Sequence, residues 1–141
     1  MNENIRSACL GIKKFRKNVI SKLNPKCIIL YGSLARGDYN ERSDIDIIVI
    51  SSNLPDSYYK RAKLLYSFID TYDPIEPLGF TPDEFLRMIK KRHCTALFAM
   101  DEGKALYGAS FFSHLKEIFH ETIKKYNLVK GPSAWVQKSV N

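Results

Sequence analysis

Asp44 and Asp46 lie two residues apart in DIDIIVI (44–50), a β-branched run that reads as a strand. Residues i and i+2 of a strand leave the same face, with Cα atoms about 6.5–7 Å apart. Two carboxylates held so close repel unless a cation lies between them. Mg²⁺ suits that task, because it binds through one or two carboxylates together with substrate phosphates. The plainer reading is a DxD on the solvent side of a half-buried strand. Ile48 and Ile50, further along the same face, weaken it, since only the start of the strand is polar. Ile45, Ile47 and Val49 fill the opposite, core-directed face.

A second set of residues could hold phosphate. Gly32 and Ser33 follow CIILY (27–31), a short apolar run suited to a strand buried on both faces. Glycine lets the backbone approach a ligand closely, and the N–H groups after it can cradle phosphate oxygens. Ser33 adds a hydroxyl, and Arg36, one turn on, offers a fork for phosphate. Alone, this is an ordinary strand–helix turn.

Together the two sets are specific: ten residues separate Ser33 from Asp44, giving GS-x10-DxD. The stretch GSLARGDYNERSDIDIIVI resembles the GSxARGxxxxxSDIDLxV signature of the DNA polymerase β nucleotidyltransferase superfamily, most closely its minimal nucleotidyltransferase (MNT) branch. The likeness continues more loosely through the third strand, TPDEF and GKALYG, over about residues 20–110. It implies a small mixed β-sheet flanked by helices, with Gly32 and Ser33 holding nucleotide phosphates. It also implies two Mg²⁺ ions on Asp44 and Asp46, ATP as donor, and a third carboxylate on the next strand that helps activate the attacking hydroxyl. The matching strand is PIEPLGF, whose acid is Glu76. The family usually has Asp there, and the extra methylene of Glu changes the metal geometry. Asp70 and Asp73 are rivals for that role.

MNT proteins are often paired with small all-helical HEPN toxins. The resemblance therefore implies an antitoxin that transfers AMP from ATP to a tyrosine of such a partner. Two other functions stay open: a degenerate module that neutralises its partner by contact, and transfer to a small molecule or RNA.

The elements that must position these residues follow from periodicity. Ile5, Cys9, Ile12, Phe15, Val19 and Leu23 predict an amphipathic helix over 4–23, stopped by Asn24-Pro25. Tyr58, Ala62, Leu65, Phe68 and Ile69 predict a helix over 57–72. PIEPLGF (74–80) reads as an edge strand because of Pro77. Thr81-Pro82-Asp83-Glu84 starts a helix that runs to about Arg92. A short helix over 94–101, a strand KALY (104–107) and a helix over 110–126 complete the series. The tail after it, with Gly131-Pro132 and Trp135, is either docked on the chain or an anchor for a partner. The order predicts an α/β (α+β) class.

At 141 residues, 45% hydrophobic and 26% charged, the chain reads as one globular domain, residues 1–141, with its core at about 20–110 and a C-terminal helix and tail at 110–141. With no room for an acceptor-selecting domain, the acceptor must come from another molecule or a second copy, so a homo-oligomer is one expectation. No apolar stretch approaches a membrane span, and the charged N-terminus lacks the apolar region of an export signal. Cys9, Cys27 and Cys94 form no CxxC pair, which fits a reducing cytoplasm. His93, His114 and His120 show no metal-ligand spacing. Residues 1–26 hold seven Lys/Arg against the single acid Glu3, out of a net charge of +7. That face could steer toward nucleic acid, nucleotide phosphates or an acidic partner, or be simply solvated.

Overall fold

A computed structural model describes residues 3–138. The final three residues of the tail lie outside it. The elements run α1 (Glu3–Leu23), β1 (Cys27–Tyr31), α2 (Ser33–Arg36), β2 (Ile45–Ile50), α3 (Tyr58–Tyr66) and β3 (Ile75–Phe80). They continue α4 (Pro82–Lys90), α5 (Cys94–Glu102), β4 (Lys104–Tyr107), α6 (Ala109–Tyr126), β5 (Leu128–Lys130) and β6 (Trp135–Gln137). Four strands form one mixed sheet in the order β3-β2-β1-β4. β1 pairs antiparallel with both β2 and β4, whereas β2 and β3 run parallel. The mixed α/β class with helices flanking the sheet is thus observed.

Two apolar layers sandwich the sheet. Ile28, Leu30, Ile45, Ile47 and Val49 face Ile12, Phe15 and Val19 of α1 and Leu65 of α3. Cys27, Ile29, Ile48 and Ile50 face Phe85 and Ile89 of α4, Leu97 and Met100 of α5, and Leu115 and Phe119 of α6. The central strands are therefore buried on both sides, which is why CIILY is continuously apolar. Pro77 sits in β3, an edge strand, where its missing N–H leaves no ladder bond unmade.

Local chemistry sets the ends of α4. The Thr81 hydroxyl accepts from Glu84 N–H, and the Glu84 carboxylate accepts from Thr81 N–H at 2.7 Å, a reciprocal capping box with Pro82 next in line. Helix α3 is shorter than its apolar spacing predicts. It closes at Ser67, and Phe68 and Ile69 N–H then bond back three residues, to Leu65 and Tyr66 carbonyls. The chain keeps turning without a helix, so the apolar spacing outlasts it. The tail forms a hairpin that neither periodicity nor length signalled: β5 and β6 pair antiparallel around Gly131–Ala134. Trp135 lies 5.7 Å from Phe119, edge-on, and 6.4 Å from Phe98. It docks on its own chain.

Candidate active site

The sheet brings the predicted acids to one edge. Register places Tyr31 of β1, Asp46 of β2 and Glu76 of β3 side by side. Partners in register share a face, and here it is the face that α5 covers further along. Asp44 sits just before β2, exposed, with its carboxyl close enough to that of Glu76 to raise the pKa of Glu76. Ile45 N–H on the Pro74 carbonyl fixes the start of β2 against the start of β3.

Gly32 closes the other side of this edge. Its φ of 79° and ψ of −158° belong to a region that essentially only glycine occupies. A Cβ added there would meet Asp46 Oδ2 at 2.3 Å. The Asp46 carboxylate thus lies directly against the bend, and glycine is required both for the dihedral and for the approach. Ser33 opens α2, and the Ser33 carbonyl accepts from Gly37 and Asp38 N–H, folding the turn tightly.

The electrostatics follow from crowding. Partial burial, then the charges of Glu76 and Asp44, raise the Asp46 pKa to about 6, against a smaller opposing pull from Arg36. Partial desolvation, the Asp44 charge and the hydrogen bond to it raise Glu76 as well. Tyr31 is pushed up to about 12 by burial and by Asp46, Glu76 and Glu102. The neighbouring acids make Asp46 and Glu76 harder to ionise, the condition a cation relieves.

The donors are all oxygens, which suits a hard divalent ion such as Mg²⁺. Among the described residues, no group of three or more His, Cys, Asp or Glu side chains could hold a metal ion as it stands. The acids offer a partial shell, of the kind that substrate phosphate oxygens complete.

The remaining candidates are already paired or lie elsewhere. The Arg36 guanidinium is engaged by Glu102 at 3.0 Å and Asp38 at 3.3 Å. Asp73 accepts from the Ser7 hydroxyl at 2.7 Å, and with Asp70 it lines a separate cavity of about 790 Å³ beside the start of α1. None of Asp44, Asp46 and Glu76 lines that cavity. The rings of His114 and His120 pack near Phe111 and Phe119.

Sequence reasoning missed Glu102. From the end of α5 its Oε1 accepts from Gly32 N–H at 3.1 Å and from Arg36 Nη1. The contact spans 70 residues and has no spacing pattern. The only cue was its place immediately before GKALYG.

Residues 12–93, more than half of the chain, match the family described as Nucleotidyltransferase domain. The chain belongs to that family. Among curated proteins, a candidate protein adenylyltransferase of Methanocaldococcus jannaschii, MJ0141, is 44% identical over 46 residues, 31% of this chain and 46% of that protein. The chain spans less than half the length of the curated relatives it matches. A crystal structure of a candidate nucleotidyltransferase from Sulfolobus solfataricus superposes with a TM-score of 0.53 at 20% identity, over 76% of this chain and 88% of that one. A toxin–antitoxin crystallised with AMP-PNP does so at 0.51 and 24% identity, over 82% and 86%. At these identities the two structures speak for the nucleotidyltransferase fold alone. No helix among the described residues is long and apolar enough to cross a membrane.

Proposed function

We propose that this nucleotidyltransferase-domain protein transfers AMP from ATP to a hydroxyl acceptor, a tyrosine of a small all-helical HEPN-type partner, and acts as that partner's antitoxin. The observation that carries the reaction is the meeting of the Gly32 bend with Asp46, Asp44 and Glu76 at one sheet edge. The acceptor is supported by the MNT signature, by the similarity to protein adenylyltransferases and by the likeness to a toxin–antitoxin structure.

In this reading Gly32 N–H, the Ser33 hydroxyl and Arg36 hold the leaving phosphates. The acceptor oxygen attacks the α-phosphorus in line, and the bond to pyrophosphate breaks as the new P–O bond forms. Glu76, in register beside Asp46, is the carboxylate placed to take the hydroxyl proton. Asp44 and Asp46, with Glu76, would hold Mg²⁺, which supplies Lewis-acid polarisation of the phosphoryl oxygens and charge neutralisation. Gly32 also leaves room for Asp46, whose Oδ2 a Cβ at that position would meet at 2.3 Å.

A second reading has one observation in its favour. Glu76 is exposed and one methylene longer than the usual Asp. A module that binds its partner without chemistry would look the same. A basic stripe on α1, with Lys13, Lys14, Lys17 and Lys22 exposed, leaves RNA as a third acceptor class. Incubation with α-labelled ATP and Mg²⁺, with and without a HEPN-type protein, separates the three. Label on a partner tyrosine, lost in Asp44→Ala and in the partner's Tyr→Phe, is the expected result. Partner neutralisation by Asp44→Ala with no label transferred supports the module, and label on RNA supports the third.

A further inference from the structure

The Glu102 carboxylate, only 10% exposed, sits on the two groups that the proposed function assigns to nucleotide phosphates. It accepts from the Gly32 amide at 3.1 Å and from Arg36 at 3.0 Å through the same oxygen. An anionic oxygen receiving one backbone N–H and one guanidinium is what a phosphate oxygen would be in that place. Its other oxygen lies 4.0 Å from Lys130 Nζ, on β5 of the tail hairpin, while Lys130 is held at 2.6 Å by Asp101. Glu102 therefore has a second cation within reach of its other oxygen.

We propose that Glu102 is a positioning residue that stands in for a nucleotide phosphate on Gly32 and Arg36, and that triphosphate binding exchanges it onto Lys130. This rests on the reading of Gly32, Ser33 and Arg36 as phosphate holders. It adds that nucleotide affinity is set by competition with the protein's own carboxylate. The exchange keeps every charge partnered: Arg36 passes from carboxylate to phosphate, and Glu102 from Arg36 to Lys130. It also gives the tail hairpin a part in nucleotide binding, through a cation 28 residues beyond Glu102 in the chain.

Calorimetric titration of the full chain with Mg²⁺–ATP, and separately with Mg²⁺–tripolyphosphate, tests this. Glu102→Gln keeps the shape and an acceptor for Gly32 N–H but drops the charge. It should bind both probes about tenfold more tightly, the effect of one charge-assisted contact. Glu102→Asp keeps the charge and loses the reach, and should fall between the two; it carries the test if the glutamine variant does not fold. Lys130→Ala should weaken binding about threefold in the native background and not at all beside Glu102→Gln, because neighbouring groups in one network are not additive. In the transfer assay Glu102→Gln lowers KM for ATP without raising kcat. Unchanged or weaker binding by Glu102→Gln, where the native chain binds, overturns the exchange and leaves the acid site untouched. Absence of Mg²⁺–ATP binding by both overturns the exchange and the phosphate-holding assignment together.

Discussion

The two ends of β3 carry polar clusters built on opposite terms. Beyond its last residues, the Arg61 guanidinium of α3 is 5% exposed and donates to the Pro55 carbonyl at 2.5 Å, the Gly79 carbonyl at 3.3 Å and Glu84 at 2.8 Å, with Tyr58 beneath it at 4.9 Å. Glu84 answers with Thr81 as well. Burial opposes its ionisation, but the bonds from Arg61 and Thr81 outweigh burial and hold its pKa below the usual range. At the first residues of β3, Glu76 meets Asp46 and Asp44, all acids, and the pKa values of Glu76 and Asp46 rise. One cluster satisfies its charges internally and secures the fold. The other holds like charges together at a cost to stability, the pattern of a site whose partner comes from outside. Perturbed pKa values mark both; the direction tells them apart.

The sharpest break is expected at the acids. Asp44→Ala or Asp46→Ala should cut nucleotide transfer by about a thousandfold or more, with the circular dichroism of the native fold retained. Transfer within a few-fold of the native rate by either variant would remove the acids from the chemistry. The paired cluster should fail in the opposite way. Arg61→Ala strands Glu84 and should cost about 2–3 kcal/mol in urea denaturation, below the fully buried figure because Glu84 is 23% exposed. Folded Arg61→Ala should still bind Mg²⁺–ATP as the native chain does.

A smaller effect, of reversed sign, tests the crowding itself. Asp46 has a folded pKa of about 6 against an ordinary value of 3.8, so the folded state holds its proton more tightly. Below pH 4 the residue is stability-neutral, and stability is lost as pH rises from 4 through 6. Asp46→Asn should flatten that slope and stabilise the protein at pH 8 by about 1–2 kcal/mol, while matching it at pH 3. A destabilised Asp46→Asn at pH 8 would contradict the crowding. The smallest effect is at the cap: Thr81→Ala should cost about 1 kcal/mol and leave transfer unchanged.

Much of this was legible because it is local. CIILY and KALY are strands with the bounds their apolar runs predict, and Thr81 and Glu84 spell out their own capping box. Asp44, Asp46, Gly32 and Ser33 lie in one short stretch, so the resemblance of that stretch to a known signature suggested a shared site. Arg61, Glu102 and the β5–β6 hairpin were not legible. Arg61 reaches Gly79 and Glu84, 18 and 23 residues on, and Glu102 reaches Gly32, 70 residues back, across elements whose packing no periodicity encodes. Three-residue strands are too short to alternate. The sequence also overextended α3, since its apolar spacing continues through turns that are no longer helical.

The central claim, that the like-charged end of β3 gathers a divalent cation beside the Gly32 bend, is tested most directly by titrating Mn²⁺ with an ATP analogue into ¹⁵N-labelled protein. Paramagnetic broadening should appear first at the amides of Gly32, Ser33, Ile45 and Glu76, and Asp46→Asn should diminish it. Broadening centred on Asp70–Asp73, or uniform across the surface, would contradict the account.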